Sequence, residues 1–142
     1  MNDILKPYSF SGITQETGLK EKTFDFLIKL MGHRNQLRIN HWQTTSYAEH
    51  KMTDGLIGDL DGMVDTIGEY IIGALGRPQI ATVNNSISDI NVKNSKCVLD
   101  CLDKECKEMI QEYKITEMEG MINLLGELDD IINKYKYLST LE

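Results

Sequence analysis

Apolar residues recur every three or four positions in four stretches, the period of an amphipathic helix, and polar stretches separate them. Phe24, Leu27, Ile28, Leu30, Met31 and Leu37 predict a first helix over 21–42. Leu56, Leu60, Met63, Ile67, Ile71 and Ala74 predict a second, from Ser46 to about Leu75. Ser46 with Glu49 three residues on is a capping box, and Gly76 followed by Pro78 is a stop signal. Val98, Leu102, Met109 and Tyr113 predict a third helix over 95–114, with Ser95 as its cap. Met121, Leu125, Leu128, Ile132 and Tyr135 predict a fourth over 116–139, opened by the pair Thr116 and Glu119. Residues 76–94 are rich in Asn and Ser and poor in long apolar side chains. They predict a long crossover holding one short helix at Ser86–Ile90, where an up-down bundle needs only a tight loop. Residues 1–20, with Pro7, Gly12 and Gly18, predict an irregular arm. The fold class is therefore all-α: one domain over 1–142, a four-helix bundle with a long crossover between helices two and three.

Composition narrows the function classes. The chain of 142 residues is 41% hydrophobic with a formal net charge of −7, which suits a soluble globule and argues against nucleic acid as a partner. No apolar run reaches the roughly 18 residues of a membrane span, and the first 20 residues show no signal peptide. An odd set of cysteines, Cys97, Cys101 and Cys106, points to reduced thiols in a cytoplasmic compartment. Cys97 and Cys101 stand one helical turn apart; the spacing suits a soft-metal pair, but small buried side chains explain it more simply.

The chemistry concentrates around helix two. His41 and His50 flank its start, and Asp54, Asp65 and Glu69 follow along it. Imidazoles with carboxylates are a ligand set for Fe(II), Zn(II) or Mn(II). His50 and Asp54 share a face, as do Asp65 and Glu69, but the two pairs lie about 22 Å apart along one helix at 1.5 Å per residue. An antiparallel copy of the helix crossing near residue 59 or 60 brings His50 and Asp54 of one chain to Asp65 and Glu69 of the other. A two-fold axis then makes two identical shared sites. Gly55, Gly58, Gly62, Gly73 and Gly76 fall on the same stripe, and close approach of another backbone would account for them. Asp61 and Asp129 are candidates for an outer role; Arg34 and Asn35 for bracing carboxylates; His33 for the surface or an outer shell.

The stretch from Arg34-Asn35 through His41-Trp42-Gln43-Thr44-Thr45-Ser46-Tyr47-Ala48-Glu49-His50, with Asp54, Asp65, Glu69 and Leu75-Gly76-Arg77-Pro78, resembles the core of the Dps-type mini-ferritins. It is closer still to small ferritin-like proteins encoded by phages and other large viruses. The match covers about residues 30–82. It implies a ferritin-like bundle and an iron site shared between two-fold related subunits, with His41, His50, Asp54, Asp65 and Glu69 as ligands. It also implies oxidation of Fe(II) by O₂ or peroxide, self-association into a dimer or a larger shell, and a location in a host cytoplasm or a virion. One departure stands out: the link between the histidines is about three residues shorter than in that family and lacks its usual Gly-Pro. Helices three and four contain no histidine, which disfavours the classical ferritin pattern of ligands closed within one bundle. The competing expectation is a structural bundle that uses helix two as an assembly surface, its histidines merely packed.

Overall fold

The structure is a computed structural model that describes residues 15–80 and 82–142, with side chains from residue 18 onward. Among the described residues four helices form: α1 (Gln15–Gln43), α2 (Tyr47–Leu75), α3 (Ser95–Ile115) and α4 (Glu119–Leu138). The four-helix bundle expected from the periodicity is what folds. α1 begins earlier than predicted because Leu19 reaches the core and Thr23 hydrogen-bonds the buried Tyr113 hydroxyl of α3. This consumes part of the predicted arm; residues 1–14 lie outside the described residues.

The helix ends follow capping chemistry, with two corrections. Ser46 Oγ accepts the Glu49 amide at 3.2 Å, as the capping box requires. Glu49 does not reach back to the Ser46 amide. Its carboxylate instead accepts from Thr44 Oγ1 and from Ser95 Oγ, both at 2.7 Å, and so ties the starts of α2 and α3 together. Gly76 ends α2 at φ +89°, a conformation glycine adopts without steric cost. Asn94, not Ser95, caps α3: its Oδ1 accepts the Cys97 amide at 2.8 Å, which frees the buried Ser95 hydroxyl for Glu49. Thr116 does not open α4. Only residues 116–118 separate the last two helices, and the Thr116 hydroxyl donates to the Glu112 carbonyl at 3.0 Å, closing α3 instead.

α1 packs on α2 and α3, and α4 packs on the same two. The Lys22–Glu112 and His33–Glu105 contacts set α1 antiparallel to α3, and Tyr135 against Asp59 with Gly120 against Tyr70 sets α4 antiparallel to α2. Residues 76–94 run back along α1 to make this possible. Three polar side chains of α1, at positions 36, 40 and 43 on one face, take the place of a neighbouring backbone. Gln36 pairs with both the amide and the carbonyl of Ser88, at 2.8 and 2.7 Å. Asn40 donates to the Lys93 carbonyl at 2.9 Å, and Gln43 accepts the Ile90 amide at 2.8 Å. The short helix expected at Ser86–Ile90 is accordingly absent; only a turn at 90–92 forms, because this backbone is paired with α1 rather than with itself. Between the helices lies one apolar core, in which Leu30, Leu37, Leu56, Leu60, Ile67, Leu99, Leu102, Leu125, Leu128 and Ile132 are fully buried. Each such side chain contributes about 1.5–3 kcal/mol by leaving water.

Candidate functional site

The three residues between α1 and α2 force the last turn of one helix against the first turn of the next. Two histidines use this closeness. His41 Nδ1 lies 2.9 Å from the His50 carbonyl and 3.1 Å from Thr53 Oγ1, while His50 Nδ1 lies 3.2 Å from the His41 carbonyl. The rings stack, with centroids 3.9 Å apart and planes 20° from parallel. A carbonyl can only accept, so each Nδ1 carries the proton and each neutral ring keeps its lone pair on Nε2. His41 is buried beneath the exposed His50. Trp42 and Tyr47 stand out beside the pair, 70% and 77% exposed.

The carboxylates lie along the outward face of α2. Asp54 is one turn beyond His50, exposed, with Arg38 3.8 Å away. Asp61 takes Arg34 at 2.8 Å, so that arginine braces a carboxylate as expected. Asp65 and Glu69 are exposed and make no ion pair or side-chain hydrogen bond among the described residues. Of the five residues predicted to share a metal, one chain brings together His41 and His50 with Asp54 nearby, and leaves Asp65 and Glu69 remote. Among the described residues no three His, Cys, Asp or Glu groups are placed to hold one ion. The five predicted ligands therefore do not meet within the described residues of one chain.

The glycines on this face divide. A Cβ on Gly55 would sit 2.7 Å from the Tyr135 hydroxyl, which donates to Asp59 at 2.8 Å. There the close neighbour is a side chain of α4, not the backbone that the glycine stripe suggested. Gly58, Gly62 and Gly73 face open space.

Spacing within single helices could not reveal the contacts between helices. His33 Nε2 lies 2.9 Å from Glu105 across the α1–α3 seam. Cys97 and Cys101 are exposed, contrary to the simpler expectation, and only Cys106 is buried. Burial pushes the Cys106 thiol up to about 12, and also raises that of Cys101 with help from Glu105, so both stay protonated at neutral pH. Asp129, expected in an outer role, lies on the α4 flank, where its buried Oδ1 has no partner among the described residues. No described helix is long and apolar enough to cross a membrane.

Comparison with known proteins revises the ancestry read from the histidine motif. The chain is 30% identical over 139 residues to an uncharacterised 14.6 kDa protein from the mobD–ri intergenic region of Enterobacteria phage T4, a match covering 94% of this chain and 98% of that one. It is 25% identical over 126 residues to the U3 small nucleolar RNA-associated protein 10 of Kluyveromyces lactis, covering 89% of this chain but only 7% of that one. No solved structure matches. The family whose profile matches, over residues 41–138, is not the mini-ferritin one, and the Dps-type resemblance is corrected accordingly. The physical counterpart is the short link between the histidines, which turns the two rings onto each other and onto each other's carbonyls. From the first of these histidines to the end of α4, the chain belongs to the family of unknown function DUF5856.

Proposed function

We propose that this protein binds Fe(II) and passes its electron to O₂ or peroxide, at a site completed only when two copies pair through α2. His41, His50 and Asp54 come from one copy, Asp65 and Glu69 from the other. One observation carries the reading: both imidazoles have Nδ1 committed to a carbonyl, which leaves the Nε2 lone pair of each ring free in a stacked pair at the start of an acidic helix. Backbone carbonyls that fix the tautomer in this way are the usual outer support of metal-binding histidines. The outward face supplies the rest. Tyr47, His50, Asp54, Asp61, Asp65, Glu69 and Ile72 are all exposed on it, and nothing covers Gly58 or Gly62 near its middle. In an antiparallel pair crossing between residues 59 and 60, His50 meets Glu69 and Asp54 meets Asp65. The same register sets the exposed Tyr47 against the exposed Ile72 of the second copy. The carboxylates stabilise the more highly charged product ion, and cations in turn relieve the crowding of acids. Zn(II) and Mn(II) suit the same donors.

A structural role is the second reading. It is favoured by the burial of His41 and by the way the two rings close the α1–α2 turn, as a fastener would. Anaerobic titration of metal-free protein with Fe(II), followed by air or peroxide, separates the two. Binding near two ions per dimer with rapid oxidation, both lost in Asp65→Ala while the dimer persists, supports the shared site. Loss of assembly alone in that variant supports the structural role. A protein that stays monomeric at every concentration overturns the shared site.

A further inference from the structure

A groove of about 360 Å³ lies between the first half of α1 and the start of the crossover. Phe24 and Ile28 line it from α1, and Ile80 and Val83 line it from the crossover, 54% and 48% exposed. Glu21 and Asp25 add two carboxylates on the α1 side. Asn85 donates to the Ile28 carbonyl at 3.3 Å and pins the crossover to α1 at that end. Apolar side chains left in water along such a groove gain free energy when they are covered. Three observations say what covers them. The first is position: α1 starts at Gln15, six residues before Glu21 and so about 9 Å from it at 1.5 Å per residue. The fourteen residues that precede α1 therefore join the bundle beside the groove. The second is composition: those residues include Ile4, Leu5, Tyr8, Phe10 and Ile13. The third is charge. The whole chain carries −7, which sets the exterior of a second copy against an acidic rim, whereas residues 1–14 hold one lysine, Lys6, against one acid, Asp3.

We propose that the groove is the docking site of the chain's own residues 4–10, with Tyr8 and Phe10 on the apolar wall and Lys6 at the Asp25 and Glu21 carboxylates. The lengths agree. Gln15 to Asp25 is ten residues of helix, about 15 Å. A reversal at Ser11-Gly12, residue types that suit a turn, leaves six residues back to Lys6, about 20 Å when extended. The difference is within the reach of a lysine side chain. Pro7 keeps Lys6 out of a helical conformation, as an extended path requires. Tyr8 and Phe10 are two apart, so in an extended chain they share one face. Asp25 already meets Lys29 at 3.4 Å, but that pair is exposed and holds weakly. The docked segment ties the crossover to α1 over residues 78–83, ahead of the Asn85 contact. None of these residues belongs to the α2 face, so the docking stands or falls separately from it.

The test is zero-length carbodiimide coupling of the full chain, which joins a lysine amine to a carboxylate it already touches, read by peptide mass spectrometry. Isotopically labelled and unlabelled chains are refolded together first, so that coupling within a chain is told from coupling between chains. The Lys22–Glu112 pair, 2.7 Å apart across α1 and α3, is the internal control for the folded bundle. The expected result is Lys6 coupled to Asp25 or Glu21 of the same chain. Tyr8→Ser with Phe10→Ser, and separately Ile80→Ser with Val83→Ser, should each lower that product severalfold while the control product stays. A control product with no Lys6 coupling to either acid overturns the docking. A Lys6 product that survives both pairs of serine substitutions overturns it too, since the groove then contributes nothing. Coupling found only between labelled and unlabelled chains overturns it as well, and makes the occupant the segment of a second copy.

Discussion

His41 and His50 each hydrogen-bond the other's backbone carbonyl through Nδ1, with their rings stacked 3.9 Å apart. Nine residues separate them, and only the sharp α1–α2 turn lets them meet. The pair thus joins two properties: it fastens the turn, and it leaves two ring nitrogens unclaimed.

The fastening is measurable. His41 is the buried member and also contacts Thr53 Oγ1. His41→Ala is expected to lower unfolding free energy by about 1–3 kcal/mol, since it removes a buried hydrogen-bonding side chain and its stacked ring. His50→Ala, at the exposed ring, should cost less. Urea unfolding of both variants checks the order; equal effects would mean that burial does not set the cost.

The glycines of α2 allow a sharper test. Gly62 faces open space, so Gly62→Ala should raise the stability of an isolated chain by up to about 1 kcal/mol, the difference in helix propensity. In the proposed pair the same methyl stands at the crossing and should weaken self-association. Gly55→Ala should destabilise the chain itself, because the new methyl meets the Tyr135 hydroxyl. Thermal melts and sedimentation equilibrium on the two variants separate the effects. A dimer untouched by Gly62→Ala would remove α2 from the interface.

Alkaline pH probes the far end of the bundle. Burial pushes the Tyr113 phenol up to about 12, above its ordinary value near 10. An acid whose folded value is raised contributes stability that is complete below the unfolded value, about 10, and is lost as pH rises through about 12. Tyr135, also raised to about 12 by burial and by the Asp59 carboxylate, acts in the same direction. Unfolding midpoints of the wild type should therefore fall across this window. The fall should be shallower in Tyr113→Phe, which also leaves the buried Thr23 hydroxyl without its partner at a cost of about 1–3 kcal/mol.

Glu49 links the starts of α2 and α3 through Thr44 and Ser95. Glu49→Ala leaves the buried Ser95 hydroxyl without that acceptor and should destabilise by about 1–3 kcal/mol. Asn94→Ala removes a helix cap and should cost about 1 kcal/mol. Chemical denaturation of both, with Ser46→Ala as a reference cap, checks the ranking. Glu49→Ala no worse than Ser46→Ala would mean that its bridge between helices contributes nothing beyond ordinary capping.

Local pattern was enough for much of this protein. The period of apolar residues placed four helices, Ser46 and Gly76 bounded the second, and Asn- and Ser-rich residues 76–94 marked the crossover. Histidines and acids could be ordered along α2 from spacing alone, because neighbours within a helix are set by its fixed rise and rotation. Contacts between helices obey no such rule. Glu49 serving α3, Thr116 closing α3 instead of opening α4, and Gln36 reading the backbone of Ser88 all depend on where the crossover lays its chain. The meeting of His33 with Glu105 depends on how far α3 is turned about its own axis. Rotation and path are decided by how the whole core packs, so only the tertiary structure determines which side chains face one another.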